Sequence, residues 1–233
     1  MQRGRYVQNK ELYRSTIRKI QTGLLRWGEK NLRNYPWRTT SDPYKIIVAE
    51  VMLHRTGVVQ VEKVYSKFIE KYPDFKSIVM VGEDKIESDL HSLGLRNRSY
   101  LLYKMAREVT EKYIGTLPAE KDKLVGLPGV GHYIASAVLC SIYDIPEPVL
   151  DTNTLRVIGR VFGIEVTESS RRSEKFRKIM RDMIGCSEPR KFFFSIVDFA
   201  STVCTASYPK CNTCPLNDVC YFYGANLYER KIN

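Results

Sequence analysis

Two glycines separated by one residue, in Leu127-Pro128-Gly129-Val130-Gly131, precede an apolar run and form a turn that opens onto a helix. A helix start of that kind leaves backbone N–H groups without intrahelical acceptors and free of side-chain obstruction, which makes it a seat for a phosphate. Twenty residues later, Val149-Leu150-Asp151-Thr152-Asn153 puts a carboxylate where an N-cap belongs. As a cap alone, Asp151 stabilises its helix by roughly 1 kcal/mol. Fixed beside a bound sugar–phosphate chain, the same anion stabilises positive charge growing on a sugar ring as an N-glycosidic bond breaks. The nearby glycine turn favours this second role.

Glu50 lies within Ile46-Ile47-Val48-Ala49-Glu50-Val51-Met52-Leu53, a helix apolar on nearly every face. A charge in that setting is expensive unless it is paired or lines a pocket. Desolvation raises a buried carboxyl's pKa, which suits a general acid or a hydrogen-bond partner for a base; the alternative is a buried salt bridge to arginine. Asp198, within Phe192-Phe193-Phe194-Ser195-Ile196-Val197-Asp198-Phe199, poses the same puzzle with no glycine turn at a telling distance. A structural pairing with an arginine or a helix end is expected there.

Four thiols crowd into seventeen residues as Cys204-x6-Cys211-x2-Cys214-x5-Cys220. Disulfides are unexpected in an intracellular basic chain, so the set points to a metal or cluster. Its bonding chemistry fits a [4Fe–4S] cluster and zinc equally well. The loop between the first two thiols ends in Lys210, which a clamped loop would present to a phosphate. Cys140 and Cys186 lie in apolar stretches and read as buried thiols.

The net charge of +11 is concentrated at the start of the chain, where residues 1–38 hold ten Lys/Arg against two Glu. A polyanion such as DNA or RNA is the natural partner. A length of 233 residues allows one large domain or two small ones. No apolar run has the length of a membrane helix, and the first thirty residues are too charged for a signal peptide. A soluble, intracellular, cytoplasmic protein is expected.

These groups must be positioned by helices, because strand alternation is nearly absent. Leu12, Thr16, Ile20, Leu24 and Trp27 recur at helical spacing. Asp42-Pro43 is a cap-then-proline start. Val58–Tyr72, Lys85–Leu93 and Tyr100–Tyr113 repeat the pattern, with Gly82, Gly94 and Gly115 as stops. Helices over Gly131–Tyr143, Thr152–Phe162, Arg171–Ile184 and Arg190–Cys204 complete an all-α reading. Ile145-Pro146-Glu147-Pro148 is stiff and helix-breaking, and is the candidate domain boundary.

Together the glycine turn, Asp151 and the cysteine spacing resemble the endonuclease III superfamily of helix–hairpin–helix DNA glycosylases, over roughly Tyr35 to Tyr221. The resemblance implies a two-lobed all-α fold. A six-helix barrel over 36–145 would carry the hairpin, and 1–35 with 146–233 would form a cluster lobe. It also implies that Cys204, Cys211, Cys214 and Cys220 bind [4Fe–4S], and that a damaged or mispaired base flips out of the duplex. In bifunctional members the hairpin continues to a lysine that attacks the sugar. Here His132-Tyr133 follows Gly131, so that amine is missing, and a monofunctional enzyme that uses Asp151 to assist water is implied.

Within the superfamily, adenine glycosylases share Pro36-Trp37-Arg38, Glu50-Val51-Met52-Leu53 and an Asp-x-Asn like Asp151-Thr152-Asn153. They usually carry serine at the Tyr133 position and an added C-terminal domain, and this chain stops thirteen residues after its last cysteine. Prokaryotic mismatch-specific thymine-DNA glycosylases are more similar, with the tyrosine, the glutamate and a turn like Leu53-His54-Arg55-Thr56. His54 departs from the arginine or glutamine common there.

That likeness implies a monomer acting on thymine or uracil opposite guanine in double-stranded DNA. Glu50 and Tyr133 would shape the base pocket, Gly129, Val130 and Gly131 would hold a phosphate, and Arg55 and Leu95 would fill the gap left in the duplex. The alternatives are an adenine glycosylase without the added domain, and a non-enzymatic iron–sulfur DNA-binding protein in which Asp151 only caps a helix.

Overall fold

A computed structural model describes residues 9–54, 56–94 and 96–225. Among them the regular structure is helical, with no strand. Contacts divide the chain into a split unit, Met1–Arg33 with Asp144–Asn233, and a continuous unit, Asn34–Tyr143.

In the split unit, α1 (Lys10–Asn31) begins where the Asn9 side chain accepts the amides of Glu11 and Leu12, at 3.1 and 3.0 Å. It buries Thr16, Ile17, Ile20, Leu24 and Gly28. Leu12, expected on that face, is exposed, and Tyr13 turns inward to donate its hydroxyl to Asp182 at 2.7 Å. In the continuous unit, α2 (Pro43–Leu53) starts at Asp42, whose carboxylate accepts the Tyr44 amide, with Pro43 in the first turn. Tyr44 and every residue from Ile46 to Met52 are buried, so α2 is a central helix with no solvent face.

Around α2 stand α3 (Val58–Lys71), α6 (Arg96–Tyr113) and α8 (His132–Tyr143). The short α4 (Phe75–Val81) and α5 (Glu83–Leu90) pack on α6, and α7 (Lys121–Gly126) packs on α8. Ile47, Met52, Ile78, Leu102, Met105 and Val138 share one apolar cluster, and burying a side chain of this size contributes roughly 1.5–3 kcal/mol. Neither α4 nor α7 is marked by the periodicity, because six or seven residues are too few to repeat a 3.6-residue pattern. A reciprocal capping box between Asp74 and Ser77 starts α4 instead.

The rest of the split unit consists of α9 (Thr152–Phe162), α10 (Glu174–Ile184) and α11 (Pro189–Thr202). α11 packs along α1, and α10 contacts α1, α9 and α11. Arg171 lies outside α10, in a 3₁₀ turn spanning Glu168–Arg172 that Thr167 closes. Asp198 has the structural pairing its setting demands. Its carboxylate is fully buried and accepts Arg33 Nε at 2.7 Å, Nη2 at 2.5 Å and the Arg33 amide at 2.9 Å. Cys140 is wholly buried, and Cys186 is only partly so.

Candidate active site and cysteine centre

The glycine turn joins α7 to α8. The Val130 amide returns to the Leu127 carbonyl at 3.0 Å, and the first intrahelical bond of α8 runs from Ala135 to Gly131, also 3.0 Å. Gly129 has φ +78°, and a Cβ there would sit 3.0 Å from Leu101 Cβ. That left-handed, crowded position favours glycine over any other residue. Val130 is a buried anchor, while Gly129 and Gly131 stay at the surface. The turn therefore presents main-chain amides from a rigid base.

Two further candidates belong to the same unit. Glu50 is 8% exposed on α2, which packs against α8. Tyr133 is half-buried on the first turn of α8 and packs against the apolar cluster. Both engage interaction partners. Arg55 and Leu95 lie outside the described residues.

Asp151 belongs to the split unit, at the N-cap of α9. Oδ1 accepts the Thr154 amide at 2.8 Å, and Oδ2 accepts Asn153 Nδ2 at 3.1 Å. Thr154 Oγ1 reciprocates to the Asp151 amide at 2.9 Å, completing a capping box. Asn153 Oδ1 in turn accepts Arg156 Nη1 at 3.1 Å. Arg156 also donates from Nε to the Cys204 carbonyl at 2.9 Å and from Nη2 to the Ala200 carbonyl at 2.7 Å. A continuous chain of hydrogen bonds thus links the carboxylate to the first cysteine.

All four spaced cysteines line one recess, together with Arg160, Lys210 and Phe222. Among the described residues, no group of three or more His, Cys, Asp or Glu is placed to hold a metal ion. Four cysteine thiolates are nonetheless the donor set that an iron–sulfur cluster takes. The residues present therefore fit [4Fe–4S].

As free thiols, Cys214 and Cys220 resist ionisation. Burial first, and then the charges of the other three, push Cys214 up to about 12. Cys220 is pushed up to about 11, again chiefly by burial. The Leu216 amide lies 3.4 Å from Cys214 Sγ, a donor of the kind a ligating thiolate accepts. Gly163, φ +64°, ends α9 so close to the cysteine segment that a Cβ would meet the Tyr221 ring at 2.8 Å. Lys210 is exposed at the end of the loop.

The residues that sequence reasoning passed over are Arg156 and Arg160. With Asn153 they lie at i, i+3 and i+7 on α9, a polar stripe opposite Leu155, Ile158 and Phe162. That spacing was the available signal.

Residues 48–182 match the family described as the HhH-GPD superfamily base excision DNA repair protein. A thymine-DNA glycosylase of Aeropyrum pernix is 35% identical over 220 residues, 91% of this chain and 97% of that protein. A thymine/uracil-DNA glycosylase of Pyrobaculum aerophilum is 38% identical over 216 residues, 88% of this chain and 92% of that protein. Among solved structures, a thermostable thymine-DNA glycosylase superposes with a TM-score of 0.86 at 30% identity, covering 91% of this chain and 98% of that one. Among the described residues, no helix is long and apolar enough to cross a membrane.

Proposed function

Because this chain belongs to the HhH-GPD superfamily of base excision DNA repair proteins, we propose that it is a DNA glycosylase that removes thymine or uracil mispaired with guanine and leaves an abasic site. Near full-length similarity to thymine- and thymine/uracil-DNA glycosylases supports that substrate class. The observation that carries the reading is the setting of Asp151, with one donor on each oxygen. A carboxylate has about four acceptor sites, so the cap orients the group without exhausting it. The anion then meets the positive charge that develops on the deoxyribose as the base departs.

Water is the nucleophile, because Tyr133 stands where bifunctional relatives carry lysine. Its oxygen bonds to the anomeric carbon, the N-glycosidic bond breaks, and the base leaves with a proton. Glu50 serves the base as proton donor or hydrogen-bond partner, and with Tyr133 it shapes the pocket. Main-chain amides at the Gly129-Val130-Gly131 turn hold a phosphate, Lys210 meets a phosphate from its own loop, and Arg55 and Leu95 fill the vacated stack. Cys204, Cys211, Cys214 and Cys220 hold [4Fe–4S], which when bound pins the Thr205–Lys210 loop. The enzyme acts as a monomer on double-stranded DNA.

The test incubates duplexes carrying T/G, U/G, A/G or A/8-oxoguanine and compares strand breaks with and without alkali. Release of thymine and uracil, with breaks only after alkali, is expected. Release of adenine alone overturns the substrate, and breaks without alkali overturn the monofunctional mechanism. No release from any duplex leaves Asp151 a helix cap and the protein a non-enzymatic iron–sulfur DNA-binding protein.

A further inference from the structure

Arg160 occupies an unusual position for a cation. Its guanidinium donates from Nη1 to the Thr205 carbonyl at 2.7 Å and the Cys204 carbonyl at 3.4 Å, and from Nη2 to the Ala206 carbonyl at 2.9 Å. The same Nη1 lies 3.4 Å from Cys204 Sγ. On its other side the guanidinium carbon stands 4.9 Å from the centroid of the Phe222 ring, and the Arg160 carbonyl lies 3.6 Å from Cys220 Sγ. One residue therefore contacts two of the four sulfurs and braces the chain on the far side of each.

Among the described residues, no carboxylate forms an ion pair with Arg160: its polar partners are carbonyls and sulfur. A half-buried positive charge without a counter-ion is costly, and the anion the site would offer it is the set of ligating thiolates. Arg156, one turn earlier, faces the same loop but donates only to carbonyls and to Asn153. The N–H to sulfur contact distinguishes Arg160. Hydrogen bonds to ligand sulfur and nearby charge are what tune the potential of an iron–sulfur cluster.

We propose that Arg160 tunes the reduction potential of the [4Fe–4S] cluster and secures its retention, through its N–H to Cys204 Sγ and its uncompensated charge at the cavity wall. The inference rests on the cluster reading above. A cation there stabilises the more negative, reduced state, so removing it moves the midpoint potential downward.

The test uses the full chain reconstituted anaerobically with iron and sulfide. Iron content, visible absorbance and midpoint potential are compared for wild type, Arg160→Gln, Arg160→Lys and Arg156→Gln. Arg160→Gln is expected to lower the potential and to hasten loss of visible absorbance in air, with Arg160→Lys intermediate and Arg156→Gln shifted least. Should Arg160→Gln fail to retain the cluster, Arg160→Lys carries the test, because it keeps a cation but cannot bridge the sulfur and the carbonyls together. A wild-type cluster whose potential is unmoved in the retained variants overturns the role of Arg160. A wild type that takes up no iron and sulfide overturns the cluster reading itself, a separate outcome.

Discussion

The two helices that follow the candidate site turns, α8 and α9, are positioned by opposite means. α8 is buried from Ile134 to Ser141 on every side, so apolar packing dominates the placement of the turn before it, and the Tyr133 ring packs on the same apolar cluster. α9 buries one stripe and turns Arg156 and Arg160 toward the backbone of the cysteine segment, with Asn153 bonded to Arg156. The units that contain them share apolar cores and differ in one buried charge. The continuous unit has an apolar cluster centred on α2, and the split unit buries Phe162, Phe192 and Phe199 and adds the pair of Asp198 with Arg33. Packing is tolerant of shape as long as volume is kept, but a hydrogen-bonded network fails when one member is removed. Substitutions in the split unit should therefore separate chemistry from stability more sharply than those in the continuous unit.

The largest effect on folding is expected at Asp198. Asp198→Ala removes the buried carboxylate that Arg33 pairs with, and breaking such a pair costs about 3–5 kcal/mol. Arg33 is 30% exposed and can reach water, so the lower end applies, read as a fall in the urea midpoint. Asp151→Asn comes next and acts on chemistry alone. Asparagine caps a helix as well as aspartate does, so thermal stability should hold while single-turnover base release falls by about 10²–10³. Loss of both together would mean that the polar stripe of α9 is a folding element and would remove the contrast with α8.

At the other turn, Gly129→Ala places a Cβ at positive φ against Leu101. A cost of roughly 1–2 kcal/mol in stability is expected, with duplex affinity falling in parallel, measured by binding titration. A neutral result would show that the hairpin is softer than its packing implies.

The smallest effect concerns acid stability of the continuous unit. Burial by itself would raise the Asp89 pKa, but hydrogen bonds from Lys71, Lys85 and Tyr72 outweigh it and hold it at about 2, below the ordinary 3.8. A carboxyl depressed in the folded state adds stability above its unfolded value, and that stability is lost as pH falls from about 4 toward 2. Asp89→Asn should flatten the thermal midpoint over that window and lower it modestly at neutral pH, where the stabilisation is fully present.

Helices with long apolar repeats were legible from sequence. The spacing of Thr16, Ile20 and Leu24, and the proline start after Asp42, correspond to what forms. Helix ends were less so. α6 starts at Arg96 rather than Tyr100, and α10 starts at Glu174 because the Thr167 cap draws Arg171 into a separate turn. The glycine turn, the carboxylates and the cysteine spacing all stand out as residue patterns.

What remained hidden was which distant atoms those residues meet. Arg33 pairs with a carboxylate 165 positions away, and Arg156 and Arg160 reach carbonyls 44 to 48 positions on. Sequence by itself determined the local part, because periodicity, caps and turns are governed by neighbours within about one helical turn. Only the tertiary structure decided the polar partners and the recess that the four thiols share. A backbone carbonyl has the same chemistry at every position, so nothing but packing selects the one a guanidinium will find.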